Sequence, residues 1–260
     1  LENVTTQPRI ALQLQPQHAD YASIRRTVTE AEDLGVDIIF NWDHFYPLYG
    51  DPDGKHFECW TMLGAWAEQT SRVEIGALVT CNSYRNPDLL ADMARTVDNM
   101  SDGRLILGIG SGWFEKDYDE YGYEFGTAGG RLNQLRDDLP RIEARWAKLN
   151  PAPTRKIPVL IGGGGEKKTL RLVAEHGDIW HSFSDLTTLQ RKNEILKQHC
   201  ADVGRDPNEI VRSVGTPSGN PAEVGPPLLD AGVGLFTVGL SGPDHDLGQL
   251  RRWLAWREAL

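Results

Sequence analysis

Apolar positions along the chain follow two patterns in alternation: short, nearly continuous runs and longer segments with a helical period. Arg9–Leu14 reads as a first strand and Val36–Phe40 as a second. The second is nearly all apolar, as suits a parallel strand covered on both faces. Between them Ile24, Val28, Ala31 and Leu34 recur at helical spacing, with Asp20 placed to cap the helix and Gly35 to end it. The unit then repeats. A helix near Phe57–Thr70 precedes a strand at Val73–Thr80, and Asn86 followed by Pro87 opens a helix running to about Met100. Further strands are read at Arg104–Gly110, Ile157–Ile161, Asp178–His181, Ile210–Val214 and Leu235–Leu240. Further helices are read at Arg131–Leu149, Glu166–His176, Asp185–Val203, a proline-interrupted Pro221–Ala231, and Leu247–Ala259. Ser111–Gly130 is too long for a plain connector and reads as an irregular functional loop.

Eight strands alternating with helices call for a parallel α/β architecture, either a closed (β/α)8 TIM barrel or an open doubly wound sheet. A length of 260 residues and loops of unequal size favour the barrel. No linker or low-complexity stretch divides the chain, so residues 1–260 are read as one domain. A net charge of −10 disfavours nucleic acid and anionic membrane surfaces as partners, and any anionic cofactor then needs a local pocket of amides or cations. No apolar stretch approaches the ~20 residues of a membrane helix. Leu1–Arg9 is polar, without an apolar signal region, and Cys59, Cys81 and Cys200 make neither a disulfide framework nor a zinc site. The expectation is a cytoplasmic protein with a small-molecule substrate and no metal.

Barrel active sites are built at strand C-termini, and four such places carry unusual residues. Asn41–Phe45 sets His44 beside Asp43, a pair suited to acid/base chemistry, although a His there can equally bond the loop backbone. Strand three and its tail, from Gly76 through Ala77, Leu78 and Val79 to Arg85, combine small residues that admit a flat ring with what can be an ordinary buried strand. Gly108–Trp113 supplies glycines for close backbone approach, and Trp113 either stacks on a ring or walls the pocket. Gly162, Gly163, Gly164 and Gly165, between a strand and a helix, offer amides and a helix dipole to a phosphate, with Lys167 and Lys168 adding charge; the other reading is a flexible turn. The spacing is neither Walker A nor Rossmann. The acidic run Asp117, Asp119, Glu120 and Glu124 reads as a solvated loop face, and Trp146, Trp253 and Trp256 as packing residues.

Taken in order, Trp42-Asp43-His44-Phe45, the Ile75–Thr80 and Tyr84–Pro87 segments, Ser101–Trp113 and Ile157–Trp180 resemble the luciferase-like hydride-transfer family over about Arg9–Leu254, most nearly its coenzyme F420 branch. The resemblance implies a TIM barrel with the cofactor ring in its mouth and a non-proline cis peptide within Ala77–Val79. It implies Asp43 as a deazaflavin contact, His44 as the catalytic acid/base, oriented by Asp43 or a backbone group, Ser111 and Gly112 as contacts to the cofactor side chain, and Gly162–Gly165 as its phosphate loop. Homodimers are common in such barrels. Some F420-dependent dehydrogenases carry a Glu directly after the equivalent of Gly112; this chain has Trp113, so that second acid/base is missing. The expected function is F420-dependent hydride transfer. The alternatives are an FMN-dependent monooxygenase of the same fold, a non-catalytic cofactor carrier, or a cofactor-independent barrel such as a phosphosugar isomerase.

Overall fold

The computed structural model describes residues 7–260, so the polar start of the chain, up to residue 6, lies outside the described residues. The strands are β1 Arg9–Leu14, β2 Ile38–Asn41, β3 Glu74–Ala77, β4 Thr80–Cys81, β5 Leu105–Gly110, β6 Val159–Gly162, β7 Ile179–Ser182, β8 Val211–Gly215 and β9 Val233–Leu240. They pair in parallel in the order β3-β2-β1-β9-β8-β7-β6-β5-β4, and β3 also pairs with β5, which closes the sheet. Because β3 and β4 are two halves of one staved position, the ring has eight positions and is a (β/α)8 barrel. Its helices are α1 Tyr21–Asp33, α2 Cys59–Gln69, α3 Pro87–Met100, α4 Glu115–Tyr121, α5 Ala128–Trp146, α6 Thr169–His176, α7 Leu186–Val203, α8 Pro221–Asp230 and α9 Gly248–Glu258.

The unbroken apolar runs are explained by two cores, one on each face of the barrel wall. Leu12, Ile39, Ile75, Leu107, Ile161, Trp180, Val214 and Phe236 point outward and pack on the helices, where Trp253 and Trp256 are buried as expected. Ala11, Ile38, Phe40, Ile106, Leu160, Ile179 and Leu235 point inward and fill the lumen. A strand alternates its faces residue by residue, so both cores draw on the same short segments.

The third barrel strand departs from the continuous Val73–Thr80 that the sequence predicts. Leu78 and Val79 both pack against the lumen cluster, and two successive residues facing one side cannot continue a regular ladder. The peptide joining them is cis, within the span that the resemblance implied. Beside the interruption β3 and β5 run so close that a Cβ on Gly108 would overlap the carbonyl oxygen of Ala77.

Several helix ends also differ from expectation. Asn86 caps α3 as predicted, accepting from the amides of Asp88 at 2.9 Å and Leu89 at 3.4 Å. Asp20 makes no cap bond to α1, because its carboxylate is taken by Lys55 at 2.5 Å. Ser111–Gly130 is not irregular throughout: it contains α4, ended by Gly122 in the left-handed region at φ 69°, and Thr127 caps α5 from Ala128 onward. α6 starts at Thr169, three residues later than predicted, because the glycine run keeps the chain out of helical geometry until then.

Replacing Gly108 with Ala forces the β3–β5 contact apart. The expected loss of stability is roughly 1–3 kcal/mol, read as a lower urea midpoint with an unchanged slope; an unchanged midpoint would show that the strands can separate at no cost.

Candidate active site

At the C-terminal ends of the strands a pocket of about 250 Å³ is lined by Gln13 and Gln15 from β1, by Trp42, Asp43 and His44 beyond β2, by Leu78 and Val79, and by Gly112 and Trp113 beyond β5. Larger grooves of about 510 and 560 Å³ lie on the flanks between helices. The mouth pocket is smaller, but it is where the strand ends converge, and barrels place their chemistry there.

His44 is held by a carboxylate that the sequence reading had assigned to solvent. Asp117, on the first turn of α4, is fully buried and accepts from His44 Nδ1 at 2.7 Å. The Tyr84 hydroxyl donates to the same oxygen at 3.1 Å, and the second oxygen accepts from the Phe45 amide at 3.1 Å. A carboxylate oxygen accepts, so Nδ1 is the donor in this bond, and Nε2 has no partner among the described residues. Trp42, Trp113 and Phe114 stand edge-on around the ring, with centroids 5.5–5.7 Å away. Of the acidic run, then, Asp117 faces inward while Asp119, Glu120 and Glu124 are exposed. The signal for Asp117 lay in its neighbour Tyr118, which is buried on the same helix, but it was legible only once that stretch was recognised as helical.

Asp43 does not orient His44, contrary to expectation. Its carboxylate receives both terminal nitrogens of Arg85, at 2.6 and 2.9 Å, and the Cys81 amide at 2.9 Å. Burial works to lower the Arg85 pKa, and the adjacent Asp43 more than offsets it, so the net shift is upward. Arg85 also donates to Glu58 at 3.2 Å, and Glu58 caps α2 through the amides of Trp60 and Thr61. The result is a fixed polar strut under the pocket. Arg85 closed the predicted strand-three segment, but nothing in the sequence paired it with Asp43.

Two further groups are kept neutral by their surroundings. His56 is lowered to about 4, chiefly by burial and then by the nearby His44. Its Nε2 accepts from the Trp42 indole at 3.0 Å, which only an unprotonated nitrogen can do. Burial pushes the Cys81 thiol up, so it is a packing group 3.3 Å from the Tyr118 hydroxyl rather than a thiolate.

The two glycine segments have different surroundings. In the fourth-strand segment, a Cβ on Gly110 would lie 2.8 Å from a methyl of Val79, and on the facing strand one on Gly162 would lie 3.0 Å from the other methyl. Val79 therefore occupies the room these two glycines leave. The carbonyl of Gly112 is bound by Arg131 Nε at 3.1 Å, and the same guanidinium lies 3.9 Å over Phe125, which ties the start of α5 to the mouth. Trp113 is 64% exposed and stands at the rim, forming part of the pocket wall.

Along Gly162–Gly165, the Gly163 carbonyl accepts from the Trp180 indole at 2.8 Å and the Gly164 carbonyl accepts from the buried Lys192. Among the described residues the amides of Gly164 and Gly165 donate to no protein acceptor. Of the two lysines predicted beside this loop, Lys168 points elsewhere. Lys168 turns to α5, bonding Asn133 at 2.7 Å, whereas Arg191 and Lys192 flank Glu166.

A parallel (β/α)8 barrel with a buried carboxylate–histidine pair at its mouth is the framework of a barrel enzyme. Residues 3–217 match the family model described as luciferase-like monooxygenase, and the chain belongs to that family. It is 27% identical over 184 residues to an uncharacterized protein of Mycobacterium tuberculosis, covering 62% of this chain and 64% of that one. It is 32% identical over 154 residues to the F420-dependent glucose-6-phosphate dehydrogenase of Amycolatopsis mediterranei, covering 52% of this chain and 45% of the relative. The chain thus spans less than two thirds of these relatives. In fold it is similar to an F420-dependent secondary alcohol dehydrogenase solved with an F420–acetone adduct, with a TM-score of 0.82 at 17% identity over 98% of both chains. No helix among the described residues is long and apolar enough to cross a membrane.

Replacing Arg85 with Met leaves Asp43 buried without its counter-charge and should cost about 3–5 kcal/mol in chemical denaturation; adding Asp43→Asn to that variant should recover part of the loss. For His56, the folded pKa near 4 lies below the unfolded value of about 6.5. The unfolded chain takes up the proton first, so stability is complete above about pH 6.5 and declines toward pH 4. An imidazole NMR titration should show His56 neutral down to about pH 4, and a midpoint near 6.5 would refute the buried, indole-bonded ring.

Proposed function

We propose that this protein is a coenzyme F420-dependent oxidoreductase that moves a hydride between the deazaflavin and a small organic substrate. The observation that carries the reading is His44, fixed by buried Asp117 at the pocket with Nε2 free. Held this way, His44 can accept or deliver the proton that accompanies hydride transfer, while Asp117 sets the tautomer and stabilises the charged ring. When bound, the cofactor supplies the hydride donor or acceptor; the protein supplies position and the proton.

The residues present fit such a group. Leu78 and Val79 make an apolar ledge in the pocket for a flat ring. Ala77 ends β3 directly before the ledge, Gly112 lines the same pocket, and Ser111 and Gly112 would meet the cofactor side chain. Asp43 lines the same pocket and, braced by Arg85, keeps acceptor capacity for the ring. The unbonded amides of Gly164 and Gly165, between Gly163 and the start of α6, suit a phosphodiester in a protein whose overall charge opposes anions. Similarity to enzymes named for F420 supports the choice of cofactor. Trp113 in place of a carboxylate argues against the sugar-phosphate oxidation named for one relative. An FMN-dependent monooxygenase is the second reading, because the same glycine loop suits a single phosphate. A cofactor carrier would bind without turnover.

Fluorescence titration with F420 and separately with FMN tests the reading. Micromolar or tighter binding to F420 alone is expected; tight FMN binding instead would move the protein to the monooxygenase reading, and binding of neither would sink both. With a hydride acceptor found by screening, His44→Ala should lower turnover by roughly 10²–10⁴ while F420 affinity stays intact. Asp117→Asn should lower it by about tenfold or more and displace the pH profile. Unchanged turnover in His44→Ala would remove the residue from the mechanism.

A further inference from the structure

On the far side of the lumen from the interrupted strand lies a second polar group that the His44 site does not use. Ile179 and Leu235 belong to the lumen core, so two residues further along each strand His181 and Thr237 face the same interior at the mouth end. Ser213, on the intervening strand β8, pairs with His181, and its hydroxyl lies 2.8 Å from His181 Nδ1; Thr237 pairs with Gly215, the next inward position on β8. His181 Nε2 has no hydrogen-bond partner among the described residues, although the ring is only half-buried. Thr237 is 3% exposed, and its hydroxyl has no partner among the described residues. Nearer the mouth the next inward positions on β8 and β9 are Gly215 and Gly239. A Cβ at Gly215 would meet nothing within 4 Å, so the space over Ser213 is open.

Buried polar groups are normally satisfied, and an orphaned hydroxyl beside a half-satisfied imidazole under an open space is a site built for a ligand atom. Its character is neutral. Burial lowers His181 to about 4, so the ring is uncharged at neutral pH. Arg212, the cation on β8, is turned away into bonds with Asn193 and with backbone carbonyls. The His181–Ser213 pair can present either polarity. With the serine hydroxyl donating to Nδ1, Nε2–H donates to a carbonyl oxygen; with Nδ1–H donating to the serine oxygen, Nε2 accepts from an alcohol.

We propose that His181, Ser213 and Thr237 form a preformed subsite for an uncharged carbonyl or hydroxyl oxygen of the substrate that anchors it across the lumen from His44, rather than for the oxygen whose proton His44 carries. This rests on the oxidoreductase reading above for its role but not for its existence, since protein groups alone build it.

The test is ¹⁵N-imidazole NMR of the full chain, without and then with F420, titrated with cyclohexanone and separately with glucose 6-phosphate. Cyclohexanone is expected to shift His181 in both forms. T237V should weaken that binding about 3- to 10-fold, the loss of one neutral hydrogen bond, while T237S stays within about twofold. A silent His181 with cyclohexanone, equal affinities for T237V and T237S, or a response only to the sugar phosphate would overturn the subsite. If F420 fails to bind while His181 still responds to the ketone, the cofactor reading fails and the subsite stands; if F420 binds and His181 is silent, the reverse holds.

Discussion

The arrangement of the mouth depends on a carboxylate with no solvent to fall back on. Asp117 is fully buried, so its carboxylate must find its donors inside the protein, and it finds three, a ring nitrogen and a backbone amide from the loop after β2 and a phenol from the tail of the third barrel strand. That requirement pins α4 to the loop after β2 and to the tail of the third barrel strand together. The aromatic stack of Phe45 on Tyr121, at 3.9 Å between centroids, and of Tyr84 on Tyr123, at 5.3 Å, fills the volume around it. The pose of His44 is thus a property of the whole mouth.

A second buried carboxylate performs a structural task nearby. Asp43 neutralises Arg85, and Arg85 reaches Glu58 at the start of α2, so the strut links a strand end to the helix that follows it. In a chain with ten more negative than positive charges, both acids at the pocket are matched by donors. Asp43 is thus offset by a guanidinium, and Asp117 is solvated by the protein's own donors in place of water.

The barrel was legible in the sequence because its physical cause is periodic. Strands buried on both faces are apolar without interruption, and the helices between them repeat every 3.6 residues, so all eight positions could be read. The interruption at Leu78 and Val79 could not be read from periodicity, since both residues are apolar and fit a regular strand equally well; it entered through the family resemblance. His44 and the glycine segments were visible because residue types of that kind at strand ends are uncommon. Asp117, Arg85, His181 and Thr237 were not. Their roles arise from partners 33 or more residues away in the first two cases, and for the last two from the side of the strand they occupy, which only the closed barrel defines. Asp117 was also hidden by composition, since an acidic run looks solvated until one member is seen to face inward.

Val79, Gly110 and Gly162 come from three different stretches of chain but share one volume. For a population of sequences this makes them a single character. A methyl gained at either glycine is tolerated only after Val79 has shrunk, and a larger residue at 79 has nowhere to go while its neighbours stay as they are. Change at the ledge has to pass through a narrow sequence of paired steps, so the shape of this apolar ledge should drift slowly even as the rim around Trp113 diversifies. New specificity in such a barrel is most readily gained at its edge.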